Sequence, residues 1–187
     1  TETPLIGASV SISIVDLGAH GRHLITRRSI DETIMLMSIR EGVDQKQLHT
    51  HWLEWKGDGE VALAVRLDGP TADPRLFTFL PLGQQAESPL RGHLNASFFP
   101  TANRKGLDGK VTLNALLLDQ AARLAADTVV WLSAAGINDF PAADRARATV
   151  DLMCWRKVPS FETASDLPTI VAQRIAAETG VSMFGDA

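Results

Sequence analysis

The 187-residue chain has no tyrosine and one cysteine, Cys154. A single thiol excludes an internal disulfide and a metal site built from cysteine alone. So little cysteine suits a reducing compartment, and the expectation is a cytoplasmic protein. The missing tyrosine stands beside four tryptophans and excludes nothing. Positive charge is also scarce: 18 Lys and Arg against 22 Asp and Glu give a net charge of -4 and a pI near 5.7. That balance leaves no electrostatic footprint for nucleic acid. No apolar run reaches the length of a membrane span. The opening run LIGASVSISIV has no basic segment before it and is broken by Ser9, Ser11 and Ser13, so it does not read as a signal peptide. There is no Walker A motif, dinucleotide-binding glycine pattern or G-x-S-x-G elbow; Gly7, Gly18 and Gly21 do not form one, and Ser97 and Ser160 have nothing behind them as nucleophiles.

What is present is an ordinary globular composition, 45% hydrophobic and 21% charged, enough to bury a core. Val10, Ile12 and Ile14 alternate with serines, so residues 5–16 read as a half-buried strand, with a turn at Gly18–Gly21 and a returning strand at 23–28. Ser29 as N-cap, Asp31 and Glu32 in a first turn, and Ile34, Leu36, Met37 and Ile39 behind them predict a short helix over 30–40. Residues 47–55 and 60–67 read as a hairpin about Gly57-Asp58-Gly59. A strand follows at 75–82, ended by Pro81, then a polar connector and a strand at 91–99.

The strongest helical pattern covers 111–135. Leu113, Leu116, Leu117, Ala121, Leu124, Ala125, Thr128 and Trp131 recur at three and four, and Gly136 ends it. Pro141 opens a helix over about 142–156, and Ser165 or Asp166 caps one over about 167–179. Strands first and helices after predict an α+β, two-layer α/β domain, a mixed sheet packed against helices. The division expected is 1–136 for that domain and 137–187 for a helical tail. The chain opens almost at once on a strand pattern, so a piece of a longer protein is expected.

Candidate chemistry is sparse. His49 and His51 share one face of a strand and, with His20 or His23, resemble half of a metal site, but no third ligand can be placed; solvent-facing histidines are the commoner case, and no metal site is assigned. Cys154 among Leu152, Met153 and Trp155 reads as a packed structural thiol. Trp52 and Trp55 face opposite sides of their strand, one for the core and one for a packing surface or the same core. The stretch Asn103-Arg104-Lys105 differs. It lies between the apolar Phe98-Phe99-Pro100 and a long helix, and cations anchored by rigid elements can be aimed at an anion. An arginine fork donates to phosphate in a fixed geometry and acts in trans in arginine fingers. An exposed basic loop with no ligand is the plainer alternative.

A resemblance enters with these residues. Phe79-Leu80-Pro81, His93-Leu94-Asn95, Phe98-Phe99, Asn103-Arg104-Lys105 and Asn114–Leu118 occur in the order found after the ATP-binding domain of sacsin-like members of the GHKL ATPase superfamily. The likeness covers about residues 60–132 and extends to the middle domain of the ninety-kilodalton heat-shock chaperones. It implies a transducer domain like the second domain of ribosomal protein S5. It also implies that Arg104 reaches the γ-phosphate of ATP, with Asn103 and Lys105 shaping or assisting that contact. The superfamily's own nucleotide motifs, an Asn-bearing helix for Mg²⁺, Asp-x-Gly-x-Gly and a Gly-rich lid, are absent: Asp58-Gly59 and Asp108-Gly109 stand alone.

ATP and Mg²⁺ are therefore expected mainly on another domain, and no cofactor on this fragment alone. The partner implied is the N-terminal ATPase domain of the same protein. A homodimer is a further option, because such relatives often dimerise. Residues 1–28 are either the last strands of a preceding ATPase domain or the start of the transducer. In place of a role at the nucleotide, His93 and Asn95 would tie their strand to adjacent loops, and ordinary strand hydrogen bonding is the favoured reading for both. The function expected is coupling of ATP binding and hydrolysis in a neighbouring domain to conformational change. The alternatives are a non-catalytic protein-interaction module and, with least support, a free-standing hydrolase or metal enzyme.

Overall fold

The first third of the chain supplies successive strands that pair antiparallel with their sequence neighbours, as strands joined by short connections do. In the structure, a computed structural model that describes residues 10–16, 22–29, 34–41, 48–56, 61–83, 86–133, 141–155, 173, 176 and 177, the first four strands are β1 (Val10–Asp16), β2 (Arg22–Ser29), β3 (Ile34–Glu41) and β4 (Leu48–Lys56). Each pairs antiparallel with the next, in registers such as Ile12↔Thr26, Ile25↔Ile39 and Leu36↔Leu53. β5 (Ala62–Arg66) closes the expected hairpin on β4, with Leu53 opposite Val65.

The sheet then changes character. β6 (Leu76–Thr78), β7 (Leu80–Pro81) and β8 (His93–Asn95) follow, and the eight strands lie in the order β1-β2-β3-β4-β5-β8-β6-β7. β8 inserts between β5 and β6, antiparallel to the first and parallel to the second, so the sheet is mixed and β7 is an edge. Among the described residues the helices α1 (Thr112–Ser133) and α2 (Ala142–Met153) follow, packed on each other and on β5. The general class is α+β, as the order of elements predicts.

The core lies between that half of the sheet and the helices. Leu63, Val65 and Leu94 from the sheet, Leu118 and Leu132 from α1, and Leu152 from α2 are among its fully buried side chains. Along β5 burial alternates, Leu63 and Val65 inward and Ala62, Ala64 and Arg66 half-buried, as a one-sided sheet requires. α2 is tied in by polar contacts as well. Arg147 Nη2 donates to the carbonyl of Leu67, and Arg91 N donates to the carbonyl of Asp151 at 3.4 Å.

Several expectations are corrected. The helix over 30–40 is strand β3, paired on both sides, and Ser29 is the last residue of β2, opposite Met35, instead of an N-cap. Ile34 to Met37 is a short unbroken apolar run that fits either period, and ladder pairing on both edges decides it. The single strand at 75–82 is a hairpin. Phe79, at φ 63°, reverses the chain between Thr78 and Leu80. The strand at 91–99 shortens to His93–Asn95.

On α1 the expected Leu117, Ala121, Leu124, Ala125 and Thr128 are buried and Trp131 packs against the core, but Leu113 and Leu116 are exposed, and Asn114, Leu118 and Ala122 are buried in their place. Cys154 is half-buried at the C-cap of α2. Of the last predicted helix, Gln173, Ala176 and Ala177 are helical and the remainder lies outside the described residues, as do the side chains of His49, His51, Trp52 and Trp55.

Candidate functional site

The segment after β8 leaves the sheet, folds over its β7 edge and returns to α1, and the loop at residues 101–107 is built on the way. Its two ends meet at a bridge between Pro100 and Leu107. Within it Thr101 N donates to Gly106 O at 2.9 Å, and Arg104 N donates to Thr101 O at 2.8 Å. The Asn103 side chain points back into the loop, where its Oδ1 accepts from Lys105 N at 3.0 Å. Such side-chain-to-backbone bonds two residues on are the usual way an Asn fixes a turn. The Thr101 hydroxyl stands 2.9 Å from Asn103 Oδ1 and 3.2 Å from Gly106 O, and with one proton it serves one of them at a time. Asn103 is exposed, and its side-chain oxygen shapes the loop.

Arg104 occupies the left-handed region at φ 55°. That conformation costs a non-glycine residue about 1–2 kcal/mol and persists only where surrounding bonds determine it. The outer bond is supplied by the sheet edge, where Gly83 N donates to Arg104 O at 2.8 Å. An added Cβ at Gly83 would stand 3.1 Å from that oxygen and 3.4 Å from Lys105 Cα, so glycine lets the loop backbone lie directly on the segment that follows β7.

The base of the loop is held by Asn114, in the first turn of α1 and completely buried. Its Oδ1 accepts from Phe99 N at 2.8 Å, and its Nδ2 donates to Phe99 O at 2.8 Å and to Asp108 O at 2.9 Å. Phe99 O also accepts from Asp108 N at 3.0 Å. One side chain thus fastens the chain entering the loop, the chain leaving it, and the helix that follows. Sequence reading placed Asn114 only at the start of a helix motif. A polar residue on the buried stripe of an apolar helix was the signal that it carries a specific set of bonds.

The charged side chains are left outside. Arg66, Arg75, Arg91, Arg123 and Arg147 are each ion-paired, to Asp68, Asp73, Asp151, Asp119 and Asp144. Arg104, Lys105 and Lys110 are exposed and have no ion pair among the described residues. Beside them the β7 hairpin exposes Phe79 at 89% and Leu80 at 67%, and Phe99 is half exposed. Two exposed cations thus stand on an ordered loop backbone beside exposed apolar side chains, on an open surface that encloses no substrate.

His93 lies one strand inward. Its Nδ1 accepts from Arg75 N at 3.3 Å, and its ring meets Phe77 edge-on with centroids 5.4 Å apart. It ties β8 to the segment leading into β6 through its side chain. Burial lowers its pKa from the ordinary 6.5; the Asp73 carboxylate opposes that shift and the Arg75 guanidinium adds to it. A groove between the end of α1 and α2 is lined by Leu132, Arg145, Thr149 and Val150 among others, and a shallow depression by Ala62, Ala64, His93 and Asn95; neither includes the 101–107 loop. Among the described residues no group of three or more His, Cys, Asp or Glu is arranged for a metal, and no helix is long and apolar enough to cross a membrane. No family model, no curated protein and no solved structure matches the chain.

Proposed function

We propose that this chain is the middle, transducer-like domain of a cytoplasmic GHKL-type ATPase resembling the sacsin-like proteins and the ninety-kilodalton heat-shock chaperones, with a fold related to the second domain of ribosomal protein S5. It couples ATP binding and hydrolysis in a neighbouring N-terminal domain to conformational change. ATP and Mg²⁺ are held by that domain, and Arg104 of this chain reaches the γ-phosphate when the two dock. The observation that carries the reading is the contrast at Arg104: its backbone is held by Thr101 and Gly83, while its guanidinium is exposed and unpaired among the described residues.

A guanidinium so placed loses little on meeting phosphate, because the loop is already ordered and the fork is planar and always charged. Lys105 adds a point charge beside it, and Asn103 holds the turn. A contact made to the γ-phosphate and absent from ADP gives the two nucleotide states different docking energies, which a two-state domain motion needs.

The test is ATPase turnover of the full-length parent protein, wild type against Arg104→Ala, with nucleotide affinity measured in parallel. A loss of turnover on the order of 10³-fold, as for other phosphate-clamping arginines, with ATP still bound, supports the role. Unchanged turnover returns the loop to an ordinary solvated surface and makes a non-catalytic protein-interaction module the better reading.

A further inference from the structure

We propose that Asn114 is a positioning residue for Arg104: it fixes the aim of the 101–107 loop against α1 and touches no nucleotide itself. This rests on the reading above and names the side chain that decides how Arg104 meets the phosphate.

The neck of the loop closes without Asn114. Pro100 and Leu107 form a bridge, and Asp108 N donates to Phe99 O at 3.0 Å. Inside the neck the turn is held by Thr101, Asn103 and Gly106. A loop closed in this way is still free to pivot as a unit about its neck. Two contacts remove that freedom. At the tip Gly83 N donates to Arg104 O at 2.8 Å, which ties the loop to the segment that follows β7. At the neck the Asn114 amide bonds to Phe99 N at 2.8 Å, Phe99 O at 2.8 Å and Asp108 O at 2.9 Å, which ties both sides of it to the first turn of α1.

The chemistry of the position points the same way. Asn114 is completely buried and shares its helix face with Leu117, Leu118 and Ala121. An apolar residue would continue that stripe with no polar group to desolvate, so the amide is explained by what it bonds. All three partners are backbone groups of Phe99 and Asp108, the two residues that frame the loop. The mount itself is rigid, since α1 runs for 22 residues and packs on α2 and β5. A group carried by a loop is held as precisely as the element that supports it. A displacement of about 1 Å at such a group lowers a rate on the order of 10²-fold. The bonds of Asn114 are therefore where the aim of Arg104 is set, twelve backbone atoms or more from any phosphate it meets being unnecessary to the argument: the amide acts only through the loop.

The experiment is a double-mutant cycle in the full-length parent protein: Asn114→Asp, Arg104→Ala and the two combined. Each is assayed at a temperature where circular dichroism shows it folded, with ATP affinity measured in parallel. Asn114→Asp keeps the size of the side chain and removes both donated bonds. Where its charge prevents folding, Asn114→Ser takes its place in the same cycle. Asn114→Asp is expected to bind ATP as wild type does and to turn it over about tenfold more slowly or worse. In the Arg104→Ala background it is expected to change nothing further, because it acts through that guanidinium. A residue that only stabilises the fold would lower the residual turnover of Arg104→Ala by the same factor again, and that result overturns the inference. Trypsin cleavage after Arg104 or Lys105 reads the loop without reference to ATP. It is expected to be about tenfold faster in Asn114→Asp, and an unchanged rate overturns the claim that Asn114 holds the loop. Normal turnover of Asn114→Asp beside an inactive Arg104→Ala overturns this inference and leaves the γ-phosphate role standing. Normal turnover of Arg104→Ala removes the γ-phosphate role, and this inference with it.

Discussion

Asn114 shows how much of a site can depend on a side chain that never meets the solvent. Its amide uses one acceptor and two donors, all on backbone groups of the loop's two ends. Asn114→Ala leaves Phe99 N without its acceptor and Asp108 O without this donor in a buried place, at about 1–3 kcal/mol for each group stranded. A loss of about 2–4 kcal/mol in urea unfolding is expected, a large part of the 5–15 kcal/mol typical of a domain. Asn114→Asp is the sharper variant. It keeps size and shape but sets a carboxylate against two carbonyl oxygens. Its folded-state pKa would then stand above the unfolded value, so stability lost at pH 7 should return as the pH falls and the carboxyl takes up a proton. A variant as stable as wild type at pH 7 would mean that the amide donors at this position do not matter.

At the scale of elements, the close approach of β5 and β8 makes the half-sheet that carries the site. Gly92, just before β8, stands where a Cβ would be 2.6 Å from Leu90 Cδ1, 2.7 Å from Ala64 O and 2.8 Å from Val65 Cγ1. The Ala64 oxygen is backbone within a paired strand and cannot step aside alone. Gly92→Ala is expected to cost about 1–3 kcal/mol by overpacking, read as a lower urea midpoint with the m-value unchanged. A wild-type midpoint would mean that β8 can shift away from β5 freely. How legible these elements were follows from what each residue answers to. Strands with strict alternation, such as Val10 to Ile14, declare themselves, because period two has no helical counterpart. Ile34 to Met37 does not, because a short apolar run satisfies both periods and the neighbours on either side decide. The hairpin at Phe79 was hidden for another reason: the turn has neither Gly nor Asn, and the chain reverses on a residue that sequence rules place inside a strand. The cations of the loop could be read from Asn103-Arg104-Lys105, but the seat at Gly83 could not, since it pairs residues twenty-one positions apart.

For the whole molecule, the order of strands makes His93 a joint. β8 is the only described strand connecting the antiparallel β1–β5 run to β6 and β7, and His93 bonds it to the segment that leads into β6. Accepting from Arg75 N requires the unprotonated Nδ1, so the folded protein holds this ring neutral, with its proton on Nε2. Burial, the largest cause, lowers its pKa below the ordinary 6.5, against the pull of Asp73 and with the help of Arg75. Below pH 6.5 the unfolded chain binds a proton that the folded chain resists, so stability is complete above 6.5, declines as the pH falls toward the folded pKa, and levels off beneath it. One such group contributes a slope of at most about 1.4 kcal/mol per pH unit. The chain has four other histidines, so the quantity to measure is the difference in unfolding free energy between wild type and His93→Asn at each pH from 7.5 to 5. That difference is expected to shrink as the pH falls, because wild type loses a contribution that the variant never had. A difference that stays level, or widens in acid, would show that His93 is protonated at least as readily in the fold as in the open chain, and the joint between the two parts of the sheet would then rest on its backbone bonds, Leu94 N to Arg75 O at 3.1 Å and Ala96 N to Phe77 O at 3.2 Å.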